Sequence, residues 1–151
     1  MSDSLTSLIG HQFPGGDYLI EHWENFLLTD CTGADLMANG VVHPIALFHV
    51  PIIGAQTSIA EMFALGQAES DFSISIESYD WHFHSPLKEN VRYSVTGGII
   101  DVQLDLDEGD RRYDLITFRF EIAGENHPVA TTEVAWHYNR GATIGVHQSE
   151  S

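Results

Sequence analysis

From Asp71 to Tyr138 the chain alternates apolar and polar residues almost without pause. That run limits it to a fold built on long antiparallel strands. Phe72, Ile74 and Ile76 alternate with Ser73, Ser75 and Glu77, and the apolar phase then moves to Tyr79, Trp81 and Phe83. A one-residue phase shift inside one extended run predicts a β-bulge. Val91, Tyr93 and Val95 alternate up to Gly97-Gly98, and Ile100, Val102, Leu104 and Leu106 resume in the other register. The glycine pair predicts a bend there. Asp105 to Arg112 (DLDEGDRR) reads as a polar hairpin loop, and Ile116, Phe118, Phe120 and Ile122 form the next apolar face. Gly124-Glu125-Asn126 turns the chain into a last strand with Ala130, Thr132, Val134, Trp136 and Tyr138 on one side.

Two helices are predicted ahead of the strands. Asp17 stands where it could cap YLIEHWENFLL, in which Leu19, Ile20, Trp23, Phe26 and Leu27 recur at helical spacing. The second is an apolar helix over residues 54–68, started by Thr57 or Ser58, with Ile59, Met62, Phe63 and Leu65 on its buried side. Long bent strands after one apolar helix indicate an α+β domain, a curved antiparallel sheet wrapped around one central helix. The expected layout is a loose lead-in at 1–16, the domain at 17–140 and a polar tail at 141–151. A single curled sheet leaves an open edge, so a homodimer or larger assembly is expected.

The charge balance excludes some partners. There are 22 acidic residues against 6 basic ones, a net charge of -16. Nucleic acid needs cations on its partner, so it is ruled out, and anionic membranes are disfavoured. No apolar run approaches the roughly 20 residues of a membrane helix. The N-terminus has no basic segment leading into a long apolar one, so a cytoplasmic location is the expectation. Cys31 is the only cysteine, which excludes a disulfide framework and a thiolate metal cluster. With no cation near it in sequence, it reads as structural.

The segment TDCTGADLMANGVVHPIALFHVPIIGAQTSIAEMF, from Thr29 to Phe63, concentrates Asp30, Asp35, His43 and His49 ahead of the apolar helix. Together with WHFHSPLKENVRYSVTGGI and the later strands, it resembles the hot-dog superfamily, and within it the MaoC-like (R)-specific enoyl-CoA hydratases and dehydratases. Gly33-Ala34-Asp35 stands where the family has Gly-Asp, and Val41-Val42-His43 supplies a histidine after Asn39-Gly40. Pro51-Ile52-Ile53-Gly54 resembles the later motif without its histidine. The Asn-Pro pair of the signature is missing, and Asp35 and His43 are more widely spaced than in the family.

The resemblance implies a hydro-lyase acting on acyl thioesters carried on coenzyme A or acyl carrier protein, with no metal or redox cofactor. Hydration needs a base to take a proton from water and an acid to return one to the α-carbon. Asp35 and His43 would be that pair. Gly54, ahead of the helix, would donate its N–H to the thioester oxygen. His49 is a further candidate base. Glu61, on the apolar helix, would activate water if the chain were instead an acyl-CoA thioesterase. Phe48, Met62, Trp81 and Phe83 would line the substrate pocket. A non-catalytic ligand-binding or partner subunit, or a lyase or isomerase of specialised metabolism, are the readings outside that chemistry. Asp80, His82 and His84 alternate on one strand face and are of metal-ligand type, but a solvated face is the expectation, with no metal.

Overall fold

The computed structural model of the protein describes residues 5–125 and 127–140. Its frame is a five-stranded antiparallel sheet in the order β1-β3-β4-β5-β2. The strands are β1 (Gly16–Leu19), β2 (Ile74–Phe83), β3 (Arg92–Glu108), β4 (Arg111–Ala123) and β5 (Pro128–Asn139). The phase shift in β2 is a register shift against β5 between Ile76 and Ser78. In β3 the shift against β4 falls between Ile99 and Asp101 rather than at the glycine pair, and the bulged Ile100 is exposed. Gly97 and Gly98 serve close approach instead. A Cβ on Gly97 would lie 2.3 Å from the Phe120 ring, and one on Gly98 would lie 2.3 Å from the His11 carbonyl oxygen.

The core sits on one face of this sheet. Ile116, Phe118, Phe120 and Ile122 of β4 and Val134, Trp136 and Tyr138 of β5 are buried there. Each large side chain so removed from water contributes about 1.5–3 kcal/mol. The hairpin between β3 and β4 is tighter than DLDEGDRR suggests. The strands run on to Glu108 and from Arg111, leaving a two-residue turn with Gly109 at φ 65°. Opposite charges face each other across it, Asp107 beside Arg112 and Glu108 beside Arg111, so a polar stretch pairs as strand.

The helical segments depart further from expectation. Residues 16–19 form a strand because they pair with β3, Gly16 against Val95 through Leu19 against Arg92. Pairing across the sheet overrides their helical spacing. The helix α1 follows at His22–Cys31, with Glu21 as N-cap. Cys31, at its C-terminal end, is exposed rather than structural. The expected central helix is two short ones, α2 (Val50–Gly54) and α3 (Ile59–Leu65). Gln56 between them has φ 63°, and Ser58 caps α3 by accepting the Glu61 N–H at 3.0 Å. Helix α2 packs on β1, β3 and β4. A Cβ on Gly54 would lie 2.6 Å from Val95 Cγ2, so this glycine sets that contact. The Arg140 guanidinium donates to the Gly66 and Gln67 carbonyls after α3 and pairs with Asp114.

The lead-in is part of the body from Leu5 onward. Leu5 and Phe13 are buried, and the Phe13 ring stacks on Phe120 at 5.9 Å. The tail at 141–151 and Asn126 of the last turn lie outside the described residues. Among the described residues no helix is long and apolar enough to cross a membrane.

Candidate active site

The segment from Val41 to Gly54 is held by side chains of α1. Asn25, buried on that helix, donates to the Val41 carbonyl at 3.2 Å and to Glu89 at 2.7 Å. Its carbonyl oxygen accepts the His43 N–H at 3.1 Å and the Thr29 hydroxyl at 3.3 Å. A fully used amide of this kind fixes the loop above it. The Asn25 amide first, and then the His22 imidazole, hold the Glu89 carboxyl below the usual carboxylate range. His43 starts a 3-10 turn, Pro44–Phe48, and its Nδ1 accepts the Ile45 N–H at 3.1 Å. Its Nε2 lies 3.4 Å from the Thr32 hydroxyl. Both nitrogens of His43 therefore have local partners.

His49, at the junction of that turn with α2, is placed differently. Its Nε2 lies 2.7 Å from Glu24 Oε2. The same carboxylate oxygen accepts the Tyr18 hydroxyl at 2.6 Å. Strand β1 supplies Tyr18 and helix α1 supplies Glu24, so three elements meet here. Burial, and then the Glu24 contact, push the Tyr18 hydroxyl pKa up, which keeps it a donor. A carboxylate can only accept, so Nε2 carries a proton here, and in the neutral ring Nδ1 is then the basic nitrogen. Glu24 is half-buried and so is His49. The arrangement is an imidazole oriented by a carboxylate that is itself anchored, which suits a general base.

Aromatic side chains gather at Phe48, the residue before His49. Phe48 packs edge-on against Tyr79 at 5.3 Å and Trp81 at 5.0 Å. Trp81 Nε1 and Thr132 Oγ1, on residues paired across β2 and β5, are buried with no hydrogen-bond partner among the described residues. A cavity of about 430 Å³ runs between the loop and the end of β2, lined by Met37, Val42, Pro44, Phe83, Pro86 and Leu87. Phe83 thus lines this cavity, whereas Phe48 and Trp81 pack on each other and, like His49, are not among its lining residues. Met62 is fully buried, and its carbonyl accepts the Tyr138 hydroxyl at 2.7 Å.

The other sequence-derived candidates are scattered. Asp35 is exposed and lines a groove with Phe26, Asp30 and Leu36. No hydrogen bond joins it to His43 among the described residues. Gly54 ends α2 rather than preceding a helix, so its N–H lies within a helical turn and is not one of the free donors at a helix start. Glu61 is exposed in the first turn of α3. Asp80, His82 and His84 are exposed, with the two rings 4.7 Å apart. Among the described residues no three His, Cys, Asp or Glu side chains are grouped as a metal ion would require. Tyr18, Glu24 and Asn25 are the site residues that sequence reasoning passes over. Reading 17–20 as a strand would have separated Tyr18 from the helix and left Glu24 facing inward.

No protein-family model matches the chain, and no curated protein sequence matches it significantly. Solved structures do. The ChsH1–ChsH2 complex from Mycobacterium tuberculosis contains a chain that superposes with TM-score 0.70 at 7% identity, covering 91% of this chain and 89% of that one. The C-terminally truncated HadBC (3R-hydroxyacyl-ACP dehydratase) complex of the same organism gives 0.58 at 12%, over 83% and 96%. A predicted thioesterase from Bacillus stearothermophilus gives 0.56 at 12%, over 84% and 79%. The chain has the hot-dog fold. Hot-dog neighbours thus include a dehydratase and a predicted thioesterase, and at these identities the likeness is one of fold.

Proposed function

We propose that this hot-dog chain is a hydro-lyase of acyl thioesters, adding water to a 2-enoyl thioester or removing it from a 3-hydroxyacyl thioester. The observation that carries the reading is the His49–Glu24 pair, which leaves Nδ1 as the basic nitrogen of the neutral ring. In hydration, His49 Nδ1 takes a proton from water as the water oxygen bonds to the β-carbon. The double-bond electrons move onto the thioester carbonyl as an enolate. The imidazolium, stabilised by Glu24, then returns a proton to the α-carbon as the carbonyl re-forms. Dehydration is the reverse. One imidazole serves as base and then as acid, so no redox change or metal is called for.

The apolar cavity and the Phe48–Trp81 contact suit an acyl chain. With a net charge of -16, the protein repels a strongly acidic carrier protein, which favours coenzyme A as the carrier. Strand β2 is an end strand with Ile76 61% exposed, and it is the edge through which a homodimer would form. Asp35 and His43, the pair implied by the family resemblance, are the alternative acid and base.

The test is to incubate the purified chain with 2-enoyl-CoA substrates of short and long chain, following enoyl absorbance and free thiol together. Loss of absorbance without thiol supports the lyase. Thiol release would replace it with a thioesterase, for which Glu61 is the candidate.

A further inference from the structure

Helix α1 is turned inside out. Its buried residues are Asn25 and Thr29, at 1% and 3% exposure, while Trp23, Phe26 and Leu27 stand out at 60%, 48% and 51%. A surface helix ordinarily buries its apolar stripe and wets its polar one. The reversal follows from Asn25, whose amide is committed to Val41, His43 and Glu89 and so fixes the rotation of the helix. The apolar face continues into Leu36, exposed on the following loop and sharing a groove with Phe26. Contiguous apolar surface of this kind marks a contact site, and Trp and Phe are among the side chains enriched in interface cores.

The rim of the face says what covers it. Glu21, Asp30 and Asp35 are exposed around it, and none has an ion-pair partner among the described residues. Asp30 and Asp35 share a groove of about 280 Å³ whose apolar walls include Phe26 and Leu36. A second copy has few cations to answer these charges. Of the six basic residues, Arg111, Arg112, Arg119 and Arg140 already hold carboxylates of their own chain, which leaves Lys88 and Arg92. Two copies meeting here would set acidic rims face to face. We propose that the exposed face of α1 docks a different protein, through an apolar surface that carries lysine or arginine. A lysine or arginine stem would lie along Phe26 and Leu36 with its charge toward Asp30 and Asp35. This contact is separate from the β2 edge and does not depend on the activity.

Cys31, the only cysteine, is exposed at the end of α1 and reports on the face directly. The probe is a helical peptide of leucine and lysine, titrated against full-length protein carrying an environment-sensitive dye on Cys31. Its leucine and glutamate counterpart is the control. The expected result is binding of the lysine peptide alone, weakened about tenfold or more by Trp23→Ser with Phe26→Ser. Asp30→Asn with Asp35→Asn should weaken it and flatten its salt dependence. All four positions are exposed, and circular dichroism checks that both double variants fold. Equal binding to wild type and the Trp23/Phe26 variant would overturn the proposal, as would equal binding of the glutamate peptide. So would efficient Cys31-to-Cys31 cross-linking by a short bifunctional reagent that the Trp23/Phe26 change abolishes, since a second copy would then cover the face.

Discussion

His49 Nε2 lies 2.7 Å from Glu24 Oε2, although 25 positions separate them in the chain. The contact joins the start of α2 to the first turn of α1, and Tyr18 of β1 secures the same carboxylate oxygen from a third direction. Tyr18→Phe removes that hydroxyl and leaves the ring in place. The expected result is a loss of about 0.5–1.5 kcal/mol in urea unfolding, the usual value of one hydrogen bond. Activity should fall by less than with any change at His49 or Glu24, because Glu24 keeps its imidazole contact.

Glu89 makes stability depend on acid. Its folded-state pKa is held below the ordinary 4.5, chiefly by the Asn25 amide. A depressed carboxyl stabilises the fold above its unfolded pKa, and that contribution is lost as pH falls through the folded value. Urea midpoints for wild type should therefore drop below pH 4.5 more steeply than those of Glu89→Gln, with the two curves running parallel at neutral pH.

The contact between Gly97 and Phe120 predicts strong coupling. Gly97→Ala would put a Cβ 2.3 Å from a ring carbon of a buried side chain, so it should destabilise markedly. Phe120→Ala should cost about 3–5 kcal/mol through the cavity it leaves. In the double variant the alanine at 97 meets no ring, so the sum of the single effects should exceed the measured loss. A double-mutant cycle by chemical denaturation reads this directly.

At the β2 edge, Ile76→Lys places a charge on an exposed apolar position of an end strand. Light scattering coupled to size exclusion should find a dimer for wild type and a monomer for the variant.

Much of the sheet was legible because burial on one face writes a two-residue period into the sequence. Ile116 to Ile122 show it, and so does the slip near Ile76. The hairpin at 105–112 was read, but its strand ends were taken for loop, because they are paired by Asp107, Glu108, Arg111 and Arg112, whose polarity reads as loop. Residues 16–19 and Phe13 were misjudged for the opposite reason: their partners, β3 and Phe120, lie far along the chain, and local spacing carries no record of them. Helix α1 misled most. Its apolar stripe was visible, but periodicity cannot tell whether a stripe is buried. Here one amide, Asn25, turned it outward. His49 was a candidate on composition alone, whereas Glu24 became visible only once the fold brought α1 beneath it.

The most direct measurement compares hydration rates of 2-enoyl-CoA for four single variants, His49→Ala, Glu24→Gln, Asp35→Asn and His43→Ala, each shown to fold. If His49, oriented by Glu24, takes the proton from the reacting water, the first two should lose at least about a hundredfold in kcat/KM and the last two should stay within a few-fold of wild type. Loss confined to Asp35→Asn and His43→Ala would contradict that assignment and return the chemistry to the pair implied by the family resemblance.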